Sequence, residues 1–146
     1  MDEPEKRPVS GKSRHGELTI DQLVEIQPGL GRIMPEVSDA WWTAYYAAKG
    51  GNFPLARYYV KKVSTLLALC VVTRPKYKKW MDRFEKEALA PCMAAVAARD
   101  FTAFERAFGE ATDLANVMHV ETGHAEIVWR LPAEPPKHLD LGPGRV

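Results

Sequence analysis

Apolar side chains recur along this chain at steps of three and four, between short polar breaks. That period belongs to amphipathic helices. The first long stretch runs from about Arg32 to Lys49, with Ile33, Val37, Ala40, Trp41, Ala44 and Ala48 on one face. Gly50-Gly51 ends it, because glycine takes the left-handed conformation that closes a helix. Asn52 caps a second helix, and Pro54 suits its first turn, where a backbone N–H has no helical partner. Leu55, Tyr58, Tyr59, Val63, Leu66, Leu67 and Cys70 form its stripe. Arg74-Pro75 stops it, since the residue before proline avoids the helical region. A third helix sets Tyr77, Trp80, Met81, Phe84, Ala88, Cys92 and Val96 on one side, with a kink or restart expected at Pro91. Asp100 caps the fourth, whose stripe is Phe101, Phe104, Phe108, Ala111, Ala115 and Met118; Gly123 ends it.

The two ends follow no such period. Residues 1–16 are charged and short of large apolar side chains, which predicts a flexible tail. Residues 17–27 suit a short helix, with Thr19 and Gln22 spaced as a capping box, before Pro28-Gly29-Leu30-Gly31 breaks the chain. Residues 132–146 hold Pro132, Pro135, Pro136 and Pro143, and an extended arm is expected there. The one strand candidate is Glu126 to Leu131. The links at 50–52, 74–75 and 99–100 are short. The expected fold class is therefore all-α: an antiparallel four-helix bundle within residues 17–131, with a short extra N-terminal helix and an extended C-terminal arm.

Composition adds little to this frame. The chain has 146 residues, enough for one domain, and 46% of them are apolar. Its 20 basic and 19 acidic side chains leave a charge of +1, so bulk charge selects no partner. Cys70 and Cys92 cannot make a disulfide framework. The N-terminus, MDEPEKRPVSGKSRHGE, lacks the apolar core of a secretory signal, and no apolar run reaches membrane-spanning length. A cytoplasmic protein with no membrane segment is expected. The surplus is aromatic: four Trp, five Tyr and five Phe, more than a single stripe per helix uses.

Two features stand out against the helix faces. His119 lies about five turns beyond Phe101 on the fourth helix, on the apolar stripe. A buried imidazole needs a partner: a side chain, a backbone carbonyl, a water or a metal. The simplest is a hydrogen bond within the core. On the first long helix, Trp42 and Tyr46 sit opposite Val37 and Ala44, so that helix is aromatic on two sides. The second side would meet a partner subunit, or be covered by the short first helix or the C-terminal arm.

With the helices laid out, the chain resembles small four-helix-bundle proteins of the cytochrome c′-like kind and their bacterial relatives. Pro28-Gly29-Leu30-Gly31-Arg32-Ile33-Met34 is similar to the opening of their first long helix. Ala47-Ala48-Lys49-Gly50-Gly51-Asn52-Phe53-Pro54-Leu55-Ala56-Arg57-Tyr58 is similar to their first interhelix turn. Ala97-Ala98-Arg99-Asp100-Phe101 resembles their last turn, and Asn116 to Pro132 the segment around their haem attachment. The relatives carry Cys-x-x-Cys-His in the fourth helix; this chain has Ala115-Asn116-Val117-Met118-His119, then Thr122-Gly123, Ile127-Val128 and Pro132. Where the relatives often have a histidine in the first long helix, Trp41 stands here. Covalent haem attachment at that motif is excluded, while the histidine that would ligate iron remains.

The resemblance implies a bundle without covalent haem, acting as a small accessory subunit of an oligomer or larger complex, associating through Trp42, Tyr46 and the Pro-rich arm. An alternative keeps non-covalent haem or a small apolar ligand, with His119 as proximal ligand, Met34 or the space near Val37 and Trp41 on the distal side, and Met118 beside it. Met118 and Ala115 would otherwise refill the volume haem left. A further reading is a mononuclear metal site at His119 and His124, near Glu121 and Glu126; Glu-x-x-His occurs once, whereas di-iron bundles need two copies and two further glutamates. The basic run from Arg57 to Lys86, with Tyr77 and Trp80, would contact phosphates if the partner were nucleic acid. Such runs are more often solvated helix faces. No hydrolase or phosphate-loop motif occurs, no paired acid and base stands out, and both cysteines lie on apolar stripes. The sequence assigns no enzyme activity.

Overall fold

The computed structural model of the chain describes residues 8–143. Its N-terminal part corrects one expectation. Strands β1 (Ser10–Ser13) and β2 (Gly16–Thr19) pair antiparallel, with Ser10 opposite Thr19 and Ser13 opposite Gly16. Gly16 sits at φ 135, a conformation that side-chain-bearing residues avoid, and this allows the tight reversal. The predicted flexible tail over 1–16 is thus a hairpin from residue 10 onward; residues 1–7 lie outside the described residues. Helix α1 (Ile20–Glu25) follows with its capping box formed on both sides: the Gln22 N–H donates to the Thr19 hydroxyl at 3.1 Å, and the Thr19 N–H to the Gln22 side chain at 2.9 Å.

The rest is mostly helical: α2 (Leu30–Lys49), α3 (Phe53–Thr73), α4 (Lys78–Phe84), α5 (Ala90–Ala97) and α6 (Phe101–Glu121). Helix α2 starts at Leu30, ahead of the predicted Arg32, and takes Pro35 into its second turn. Asn52 and Asp100 cap α3 and α6 with their side chains, as their spacing predicts. A 3-10 turn at Pro75–Tyr77 links α3 to α4. Pro91 acts upstream of itself. It has no N–H to give to Glu87 four residues back, and the ladder instead widens over Glu85–Leu89, where Ala90 donates to the Glu85 carbonyl. The π-turn joins α4 to α5 and brings Leu89, absent from the predicted stripe, into the core.

Helix α2 packs along α3, α3 against α5, α5 against α6, and α6 back against α2. The buried set follows the predicted stripes with local exceptions. Ile33, Val37, Ala40, Trp41, Ala44 and Ala48 are all buried on α2. On α3 the buried line is Ala56, Val60, Val63, Leu67 and Cys70, whereas Tyr58 is exposed and packs edge-on to Tyr59 outside the core. Trp41 occupies the centre. Its ring stacks on Phe108 with centroids 4.3 Å apart, and its indole N–H donates to the Thr112 hydroxyl at 3.0 Å.

The segment from Glu126 to Leu131 forms no strand; it has no sheet partner. It opens a C-terminal strap that runs back across α2. Trp129 packs edge-on to Trp42, the Tyr46 hydroxyl donates to the Pro132 carbonyl, and the Asn52 amide donates to the Asp140 carbonyl at 3.1 Å. This strap lies on the second aromatic face of α2, so Trp42 and Tyr46, expected at a subunit interface, are in contact with this chain's own arm. No helix among the described residues is long and apolar enough to cross a membrane.

Candidate functional site

A half-open cavity of about 210 Å³ lies between the start of α2, the end of α3, α4 and the end of α6, and the strap closes part of its mouth. Its inner wall is apolar: Leu67 and Phe84 are buried core residues, and Met34, Met81 and Met118 complete it. Trp80 and Trp129 flank the opening, with Ile127 and His124 at the rim. His119 joins this wall from the last turns of α6. Local rules place these groups. The α6 period carries Ala115, Met118 and His119 to one side, and Gly123, at φ 85, turns the chain so that residues 124–129 fold back over them.

His119 is half-buried. Its Nδ1 lies 2.9 Å from the Ile127 carbonyl, and its ring meets Trp129 edge-on at 5.6 Å. Burial lowers its pKa below the usual histidine value and nearby His124 adds to this, against the opposing pull of the Ile127 bond. The ring is therefore biased toward the neutral form. The expected need for a partner is met by a backbone carbonyl. Around it, the Trp80 indole N–H donates to Glu121 at 2.9 Å, and the Thr122 hydroxyl donates to the Met118 carbonyl at 2.8 Å.

Of the residues assigned to a cofactor from sequence, His119, Met34 and Met118 line this one cavity and Trp41 does not. Trp41 is fully buried behind Phe84, which separates it from the cavity, and beside Phe108, with its indole N–H held by Thr112. Haem fits these residues poorly. An engineered apolar cavity of about 150 Å³ holds one benzene ring, so about 210 Å³ has no room for a four-ring macrocycle. The metal assignment fares similarly. His119 and His124 both border the cavity, but His124 faces Glu126 at 3.6 Å, Glu121 is taken by Trp80 and Arg83, and no group of three or more metal-ligating side chains exists among the described residues.

No family model matches this chain, and no curated protein or solved structure matches it. Nothing in these comparisons points to the cytochrome c′-like family. The site therefore rests on its own geometry.

Most of the other lining residues, Leu67, Trp80, Met81 and Trp129 among them, were not assigned to this site from sequence. Leu67 and Met81 stood on stripes taken only as core, and Trp80 stood on such a stripe and beside the basic run, where it was weighed as a nucleic-acid contact. Trp129 stood in an extended segment, and its signal was a lone tryptophan among the apolar residues Ile127, Val128 and Leu131. The basic run from Arg57 to Lys86 is partly neutralised by its neighbours: Lys62 pairs with Glu36 at 3.0 Å, Lys78 with Asp82, and Arg83 with Glu87 at 3.1 Å.

Proposed function

We propose that this chain is an antiparallel four-helix bundle that binds a small, mainly apolar ligand in the cavity beside His119. Helices α2 and α3, the α4–α5 run and α6 would supply the four bundle positions, and the short links between them favour neighbouring antiparallel packing. The observation that carries the ligand reading is the cavity itself. Its volume of about 210 Å³ exceeds that of an apolar cavity known to take up a small aromatic molecule. Three methionines give it a lining that adapts to ligand shape.

Toluene tests this reading. A ligand that binds only the folded state raises its stability by mass action. Toluene should raise the melting temperature of the wild type, with a shift that grows with the logarithm of its concentration once that exceeds Kd. It should do so far less in Gly31→Leu. Gly31 borders the cavity, and a Cβ added there meets nothing within 4 Å, so a leucine there displaces no backbone and has room to turn into the mouth of the cavity. No toluene-dependent shift in the wild type would end the ligand reading.

A second observation favours the accessory-subunit reading, at a different face from the one expected. Ile20, Leu23, Val24 and Ile26 around α1 are all exposed, and together with exposed Val9 and Leu18 they form an uncovered apolar surface. If association occurs there, replacing Leu23 and Val24 by Ser lowers the native mass, whereas Trp42→Ala leaves it unchanged. A strictly monomeric wild type would remove this second reading.

A further inference from the structure

Several polar atoms around the cavity are committed to protein partners. The Trp80 N–H serves Glu121, the Thr122 hydroxyl serves the Met118 carbonyl, and His124 faces Glu126 at the rim. His119 is half-buried in the wall, unlike the exposed His124, and only one of its two nitrogens is used. A carbonyl can only accept, so the Nδ1 beside the Ile127 oxygen carries the proton. In the neutral ring Nε2 then keeps its lone pair. Among the described residues it has no hydrogen-bond partner. Nε2 is not sealed off, and His119 lines the cavity, so a donor on whatever fills that cavity would give this acceptor a partner.

The lining also says what the ligand is not. Among the described residues, no Lys, Arg, Asp or Glu borders the cavity. A carboxylate or ammonium would lose its water there and gain no counter-charge. Trp80, Phe84 and Trp129 offer ring faces and edges, and the three methionine sulfurs favour contact with an aromatic ring.

We propose that the ligand is a neutral aromatic of one or two rings with a single hydrogen-bond donor, of phenol or indole type, whose O–H or N–H donates to Nε2 of His119. This rests on the cavity being a ligand site, and the two ideas fail separately. In a wholly apolar cavity the phenol hydroxyl loses its water without replacement, so phenol binds less well than toluene. The free Nε2 acceptor restores that partner and shifts the preference toward phenol.

The test is calorimetric titration of the full chain with phenol and with toluene, in the wild type and in His119→Leu. The expected result is that the variant keeps toluene and loses about tenfold of its phenol affinity relative to toluene, the worth of one neutral hydrogen bond. A nitrogen-15 NMR measurement on the wild type does not depend on the variant folding. Phenol should shift the His119 Nε2 resonance and leave Nδ1 protonated, and toluene should not shift Nε2. If toluene binds while phenol leaves Nε2 unmoved, or if the phenol preference survives His119→Leu, the donor proposal is overturned and the cavity reading stands. If neither probe binds, both are overturned.

Discussion

Asn116 and Trp129 exchange two hydrogen bonds. The Asn116 amide donates to the Trp129 carbonyl at 3.0 Å, and the Trp129 N–H donates to the Asn116 side-chain oxygen at 2.7 Å. One side chain on α6 thus serves the backbone of the strap as a strand neighbour would. The pairing sets the Trp129 ring between His119 and Trp42 and defines one edge of the cavity.

Asn116→Ala removes both bonds and leaves two strap groups without a partner. The expected cost is roughly 1–3 kcal/mol, concentrated in the strap. Amide hydrogen exchange should speed up over residues 124–132 while α3 keeps its protection. Toluene affinity should fall with it, because one wall of the cavity loosens.

Thr112→Val tests the centre of the core. The Thr112 hydroxyl accepts from Trp41 and donates to the Phe108 carbonyl at 2.9 Å. Valine keeps the shape and leaves the Trp41 N–H buried without an acceptor. A loss of roughly 1–3 kcal/mol is expected in urea unfolding, with an unchanged denaturant slope.

Gly50→Ala should release the end of the strap and spare the core. A Cβ at Gly50 would stand 1.8 Å from the Leu141 carbonyl oxygen, so the backbone of the strap has to move. Gly50 itself has ordinary helical φ, and alanine suits it. Limited proteolysis should cut after Pro132 faster than in the wild type, at a nearly unchanged melting temperature.

Stability should respond to His119 in one direction. Its folded pKa lies below the ordinary 6.5, chiefly through burial, so the unfolded chain binds a proton more readily than the folded one. The contribution is complete above about pH 6.5 and is lost as pH falls from there through the folded value, after which it changes no further. Between about pH 8 and pH 5 the urea midpoint of the wild type should fall relative to that of His119→Leu. Parallel curves would show that His119 is not responsible.

Both thiols should be silent in the folded protein. Burial pushes Cys92 up to about 12, with Glu110 adding to it, and burial raises Cys70 as well. Little thiolate exists near neutral pH, and neither sulfur is exposed. A disulfide reagent should label both only when denaturant is present.

Much of this architecture was legible because it is local. Thr19 with Gln22, Asn52, Asp100, Gly51 and Gly123 act within one turn of themselves, and each caps or ends a helix where its chemistry says it should. The stripes of α2 and α6 needed only the 3.6-residue period. Errors arose where a residue was counted with a face it does not share or a signal was not periodic. Tyr58, counted with the α3 stripe, lies about 200° round the helix from Ala56, opposite the buried line, and is exposed. Pro91 marked the right helix and not the turn that widens. The hairpin at residues 10–19 has no apolar alternation, so neither a helical nor a strand period marks it.

The sequence by itself determined the helices, their ends and the faces they bury, because hydrogen bonding between residues three to five apart and the burial of one stripe depend on neighbours along the chain. Only the tertiary structure decided what covers Trp42 and Tyr46, which histidine nitrogen is free, and that Met34, Trp80, His119 and Trp129 enclose one space. Those facts are distances between segments far apart in sequence, and no period or cap encodes a distance across the fold. Trp41 and His119, joined on paper as one site, part in space for the same reason: Thr112 and Phe108 hold the first, and Ile127 and Trp129 hold the second.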